Sequence, residues 1–270
     1  MTLIKINEET CTKCGLCAQM CRMIYFKEGE YPRQVSGTDT FCLRCGHCVG
    51  ICPTGSVTHK EMPAEQTPLI NKSLKVSFEQ CAQLIKSRRS IREFKDKVVP
   101  KKEIERIIEV ARYAPTGHNF QDVRWHVVNN RAYMRKLSAI GADWLRSMMK
   151  SNKQFAVLFA RLTQALDAGI DMFLHNAPAV ATAYAEKNNL VAATDCAIAL
   201  AYFDLAANTA GLGCCWAGFF YMAAGSYPPM MEAIDLPEGF TPYGALMVGY
   251  PKYQYKRIPA RKPARIIYRP

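Results

Sequence analysis

The chain has 270 residues and a formal net charge of +12, with 35 Lys and Arg against 23 Asp and Glu. This length holds one large core, or a small module beside a domain of ordinary size. Residues 1–62 are nearly balanced in charge. The excess lies mainly between Lys86 and Arg112 and in the last twenty residues, where seven Lys or Arg occur without an acid. No nucleic-acid-binding motif accompanies these stretches, which favours an anionic small ligand or a solvated face over DNA or RNA.

Eight of the 12 cysteines fall within the first 52 residues. They form two runs, CTKCGLCAQMC from Cys11 to Cys21 and CLRCGHCVGIC from Cys42 to Cys52, the second followed by Pro53. Each run is C-x2-C-x2-C-x3-C, the spacing of two-cluster bacterial ferredoxins, in which the fourth cysteine of each run serves the other cluster. The pattern predicts two 4Fe-4S clusters, one on Cys11, Cys14, Cys17 and Cys52, the other on Cys42, Cys45, Cys48 and Cys21. Gly15 and Gly46 each follow a second cysteine, where the absence of Cβ lets backbone amides approach the sulfurs. Zinc knuckles use two C-x2-C pairs instead, and a disulfide framework goes with secretion. The amino terminus MTLIKINEET shows no basic-then-apolar leader, so a reducing cytoplasm is the expected location.

Residues 63–73, with Pro63 and Pro68, read as a linker between residues 1–62 and 74–270. Ser77 and Gln80 have the spacing of a capping box, and Phe78, Cys81, Ala82 and Ile85 follow at helical intervals. The helix ends at SRRSIREF. Pro100 opens a second helix with Ile104, Ile107, Ile108 and Ala111 on one face, and Pro115 stops it. The loop PTGHNFQ precedes a strand over 125–128. Residues 131–175 read as mostly helical, interrupted at Gly141 and Gly169, and 179–184 as a strand. Residues 190–210 are apolar nearly all round, predicting a helix buried on most sides or in a subunit interface, ended by Gly211 and Gly213. From Leu205 to Met231 there are 27 residues without a charge, but the glycines and Pro228 and Pro229 make this buried core, not a membrane span. Residues 244–250 form the last predicted strand. Cys81, Cys196, Cys214 and Cys215 stand in apolar surroundings and read as buried inert thiols.

Arg88, Arg89, Ser90 and Arg92 concentrate guanidinium groups and a hydroxyl at a helix end. Such a group suits a phosphate, whose oxygens match planar donor forks, and it equally suits a solvated basic face. The stretch GLGCCWAG can be a helix stop and a buried strand. It lacks the third glycine of a dinucleotide fingerprint and follows a helix, so a Rossmann site is not supported.

SRRSIREF, PTGHNFQ, GLGCCWAGFF and GYP with its basic tail, in this order, resemble the nitroreductase family of flavin enzymes over residues 74–270. With the ferredoxin-like start, the whole chain resembles the ferredoxin-fused nitroreductases. The resemblance implies an α+β chain: a small two-cluster ferredoxin-like module, then a three-layer α/β/α domain. It implies FMN, its phosphate gripped by Arg88, Arg89, Ser90, Arg92, Arg261 and Lys262. Asn119 and Gln121 would address the polar edge of the flavin ring, and the backbone of Trp216, Ala217 and Gly218 would approach the ring near N5. It further implies a homodimer with flavin at the subunit interface, and a nitroaromatic, quinone or activated alkene as acceptor. Ferredoxin or NAD(P)H would be the electron donor. No general acid is assigned. A redox carrier or sensor exchanging electrons with a protein is the competing reading.

Overall fold

A computed structural model describes residues 2–151 and 153–269. Two units emerge: Met1–Lys75 with His118–Phe120, and Val76–Gly117 with Gln121–Pro270.

The first unit is built from short elements: β1 (Ile4–Ile6), α1 (Leu16–Met20), β2 (Ile24–Tyr25), β3 (Arg33–Gln34), α2 (Thr38–Phe41), α3 (His47–Ile51) and β4 (Val57–His59). β1 pairs antiparallel with β4, Ile4 opposite His59, and β2 pairs antiparallel with β3. The Gln34 side chain accepts from the amides of Leu3 and Ile4, satisfying the start of β1. So small a unit has little apolar material, and two of its six core residues, beside Leu3, Ile4, Ile24 and Val57, are the cysteines Cys17 and Cys48. Gly15 and Gly46 precede α1 and α3 with φ of 73° and 72°. A Cβ on Gly15 would lie 2.6 Å from the Phe26 ring, so both backbone conformation and space require glycine there.

The second unit comprises α4 (Phe78–Ser87), α5 (Lys101–Ala111), β5 (Arg124–Val128), α6 (Arg131–Ser151), α7 (Lys153–Asp167), β6 (Ala179–Glu186), α8 (Ala192–Thr209), β7 (Gly213–Trp216), α9 (Gly218–Ser226), α10 (Pro228–Ile234) and β8 (Phe240–Gly249). The strands form one antiparallel sheet in the order β5-β6-β8-β7. Alternation along the strands divides the core into two layers. Ala179, Ala181, Ala183, Cys214, Leu246 and Val248 pack with α5 and α8. Val180, Cys215, Ala245 and Met247 pack with α6, α9 and α10 on the other face. The result is helix, sheet, helix. Phe203 and Leu200 of α8 are wholly buried, each contributing about 1.5–3 kcal/mol through removal from water.

The capping box of α4 is complete, Ser77 Oγ accepting from the Gln80 amide and Gln80 Oε1 from the Ser77 amide. Its apolar stripe is nevertheless open: Phe78 is 81% exposed, and Cys81 is exposed, correcting the expectation of a buried thiol. Cys196, Cys214 and Cys215 are buried.

Several boundaries also differ. Gly141 does not interrupt α6; a Cβ there would stand 2.3 Å from the Phe173 ring, so this glycine serves close packing. Helix does not reach His175. α7 ends at Asp167, and Gly169 (φ 79°) turns the chain. The Asp171 carboxylate then takes the amides of Phe173, Leu174 and Asn176. α8 starts at Ala192 because the Asn189 side chain accepts from the Val191 amide, leaving Leu190 99% exposed. Gly211 (φ 77°) ends α8, while Gly213 opens β7. β8 begins at Phe240, before Pro242, because a register shift between Ala183 and Tyr184 accommodates the proline. Among the described residues no helix is long and apolar enough to cross a membrane.

Candidate functional site

In the first unit the two cysteine runs have the same local fold. Lys13 (φ 54°) and Arg44 (φ 52°) precede the second cysteines, Gly15 and Gly46 follow them, and short helices then carry the buried Cys17 and Cys48. Cys14 and Cys45 are exposed, and Cys11, Cys21, Cys42 and Cys52 half-buried.

Electrostatic neighbours sort these thiols across the runs. Burial raises the pKa of Cys17, with the Cys52 and Cys11 thiolates adding to it. Burial likewise pushes Cys48 up to about 11, with Cys21 the foremost thiolate neighbour, followed by Cys42 and Cys45. The fourth cysteine of each run therefore stands with the other run. Thiols grouped this way oppose one another's ionisation unless a cationic centre offsets the charge, and a soft, all-sulfur donor set suits iron-sulfur chemistry.

Protein donors also reach the sulfurs. The Arg44 amide donates to Cys42 Sγ at 3.4 Å, and His59 Nε2 lies 3.7 Å from the same atom. Burial raises the Cys52 thiol, but the Thr54 hydroxyl and the amides of Thr54, Val57 and Ser56 outweigh it, leaving the pKa lowered. Thr54 Oγ1 lies 3.6 Å from Cys52 Sγ.

In the second unit, the segment after α4 is laced to the sheet. The Ile91 amide donates to Cys214 O at 2.9 Å, the Lys95 amide to Tyr250 O, and the Lys252 amide to Glu93 O. Gly213 permits this approach, since a Cβ there would stand 2.4 Å from Ile91 Cγ1.

Arg92 is thereby brought to a cavity of about 410 Å³ that Cys215, Trp216, Ala217 and Gly218 also line. The remaining wall is largely apolar: Leu162, Met172, Phe173, Phe219, Met222 and Met247, with His175 as the other polar residue. Burial raises the Cys215 thiol, against which Arg92 and a hydrogen bond with Ser90 act. Burial lowers the His175 pKa, opposed by Asp171 and assisted by Arg92. Largely apolar walls with one guanidinium, in the volume range of small-molecule sites, can take an apolar body bearing an anionic group.

Arg88 Nη1 pairs with Asp204 Oδ2 of α8 at 3.0 Å. Arg89 is half-buried beside it in sequence. Ser90, Arg92, Trp216, Ala217 and Gly218 thus come together around the cavity and its Cys215 wall. Gln121, whose amide donates to Thr116 Oγ1, is not among the lining residues, nor are Arg261 and Lys262, which lie exposed in the irregular tail. Asn119 groups with the first unit, where its Nδ2 donates to Leu43 O and Arg44 O at 3.1 Å each.

Sequence reasoning missed His175, Met172 and Phe173, which it placed in or beside a helix. It also missed Asp195, a buried carboxylate that takes the Gly117 amide with both oxygens at 3.1 Å and anchors the PTGHNFQ loop.

Comparison with known proteins bears on both units. Residues 85–250 match the model of the Nitroreductase family, and residues 3–53 match that of a 4Fe-4S dicluster domain. A putative NADH dehydrogenase/NAD(P)H nitroreductase of Archaeoglobus fulgidus is 26% identical over 175 residues, covering 65% of this chain and 87% of that protein. An uncharacterized ferredoxin of Methanocaldococcus jannaschii is 32% identical over 83 residues, 30% of this chain and 50% of that one. A crystal structure of a nitroreductase with bound FMN from Bacteroides fragilis superposes with a TM-score of 0.56 at 22% identity, covering 70% of this chain and 98% of that one, a likeness of fold.

Proposed function

The chain belongs to the nitroreductase family and carries a 4Fe-4S dicluster domain, and on that premise we propose that it is an FMN-dependent iron-sulfur oxidoreductase reducing an organic acceptor. The observation that carries this reading is the coexistence of two cross-sorted thiol sets and a cavity that presents Arg92 and the Trp216–Gly218 backbone to one space.

Cys11, Cys14, Cys17 and Cys52 would hold one 4Fe-4S cluster, and Cys42, Cys45, Cys48 and Cys21 the other. Arg92 and Ser90 would take the FMN phosphate, with Arg89, Arg261, Lys262 and the Arg88 nitrogens that Asp204 does not engage. The backbone at Ala217 and Gly218 would face the ring, since a Cβ on Gly218 would meet only Trp216 Cδ1 within 4 Å, at 3.6 Å. Gln121 would serve the polar edge of the ring, whereas Asn119, whose Nδ2 donates to Leu43 O and Arg44 O, stays with the first unit. When bound, FMN converts single electrons from the clusters into the pairs an organic acceptor consumes, chemistry that no side chain supplies. The apolar wall of Phe173, Phe219 and Met222 would keep water from that face. Nitroaromatics, quinones and activated alkenes suit such a wall, with ferredoxin or NAD(P)H as donor.

We propose a homodimer, supported by the uncovered apolar side chains of α4 and α8. Phe78 is 81%, Ile85 53% and Tyr202 42% exposed, and a second copy would bury them. We place this activity in the cytoplasm, where a reducing environment keeps the eight cluster cysteines as thiols.

Anaerobic absorption spectra with iron, sulfide and flavin analysis test the proposal. About eight irons and about one FMN per chain are expected. Stoichiometric zinc without iron, or FAD bound with FMN rejected, would overturn it. Turnover of small acceptors separates the enzyme from a carrier, which would exchange electrons with ferredoxin alone.

A further inference from the structure

We propose that His59 is a positioning residue for the iron-sulfur site of the second cysteine run. Its Nε2–H donates to Cys42 Sγ and raises the reduction potential of the cluster bound there. This inference rests on the cluster reading given above.

The ring's tautomer follows from its surroundings. The Glu61 amide donates to His59 Nδ1 at 3.1 Å, so Nδ1 carries a lone pair and the ring proton sits on Nε2. Nε2 lies 3.7 Å from Cys42 Sγ, a sulfur hydrogen-bond distance. The ring is held on both sides. His59 ends β4 opposite Ile4, and its carbonyl accepts the Met62 amide at 2.9 Å, closing the turn that carries Glu61. At 3% exposure, water does not compete for the contact.

Cys42 Sγ also receives the Arg44 amide at 3.4 Å, so two N–H groups point at one sulfur. A donor at a ligating thiolate withdraws electron density and favours the more negative, reduced state; hydrogen bonds to sulfur are among the levers that set cluster potentials. The other thiol set has no matching imidazole contact among the described residues. There the side-chain donor is the Thr54 hydroxyl, 3.6 Å from the half-buried Cys52 sulfur. The two clusters would therefore differ in potential, and His59 would supply part of the difference.

The test is an anaerobic redox titration of the full chain followed by electron paramagnetic resonance, on the wild type, His59→Leu and His59→Gln. Iron and sulfide are measured first in each. With iron content equal, His59→Leu should lower the midpoint potential of one cluster and leave the other in place, and His59→Gln, which retains a side-chain N–H, should fall between. Two unchanged potentials in an iron-replete His59→Leu protein would overturn the inference. If that variant loses iron, pulsed resonance on reduced wild-type protein with ¹⁵N-histidine decides: coupling of a histidine nitrogen to a cluster spin, diminished in His59→Gln, supports it, and no coupling refutes it. A wild type without iron would instead overturn the cluster reading itself.

Discussion

Arg88→Ala separates two roles that the chain can give one guanidinium, phosphate ligand and internal counter-ion. The Arg88 and Asp204 side chains are 28% and 17% exposed. Breaking a fully buried pair costs about 3–5 kcal/mol and an exposed one at most about 1, so this pair should cost about 2–3 kcal/mol. In a domain of this size that lowers Tm by about 4–12 °C. The loss should depend on pH. Burial raises the Asp204 pKa and Arg88 opposes that rise. Between the ordinary carboxylate value and the raised native value the folded protein binds a proton that the unfolded chain lacks, so stability falls as pH rises through that window. Without Arg88 the native value rises further and the window extends upward. Destabilisation should then be greatest near neutrality and shrink on acidification below the ordinary carboxylate range. Asp204→Asn in the same chain should recover part of it, measured by thermal denaturation with and without FMN as a double-mutant cycle. An unchanged Tm would refute the counter-ion role, and weaker FMN binding at unchanged Tm would assign Arg88 to the phosphate alone.

Arg92→Ala should weaken FMN binding by about 1.5–3 kcal/mol, toward the lower figure because Arg92 is exposed, as read by recovery of free-flavin fluorescence; equal affinity would remove the phosphate from this cavity. Cys21→Ala should leave the same residual cluster signal as Cys45→Ala, because Cys21 stands with the second run. A residue of signal matching Cys14→Ala instead would deny the crossed ligation. Ala201→Arg, on the exposed side of α8, should yield a monomer by light scattering and release FMN together, and a monomer retaining its flavin would place the whole site within one chain.

What could be read in the sequence was what local chemistry dictates. The 3.6-residue spacing of Ile104, Ile107 and Ala111 places three buried residues on α5, and Ser77 and Gln80 cap α4 reciprocally. Alternation is silent where strands are buried on both faces: GCCW reads as a buried strand only because glycines stop the helix before it, and the uncharged run to Met231, legible as buried core, gives no sign of where β7, α9 and α10 divide it. Gly141 read as a break because a glycine that admits a ring looks, in one dimension, like one that turns the chain. The cavity was half visible. Arg92 and Trp216–Gly218 announce themselves in motifs, whereas His175 and Met172 join them only through the Asp171 turn. Burial and partner geometry, which make His59 a donor to Cys42, have no signature in a lone histidine.

Cys214 and Cys215 are neighbours in sequence and strangers in space. Successive residues of β7 face opposite layers, Cys214 toward α5 and α8, Cys215 toward the cavity. No disulfide can join them while the strand is intact, since their thiols point apart. They therefore form a built-in pair of reporters. A small alkylating reagent would reach Cys215 whenever the cavity wall breathes, and Cys214 only when the sheet parts from its helices. The ratio of the two labelling rates would measure, in one peptide of a digest, how much the chamber opens without the domain coming undone.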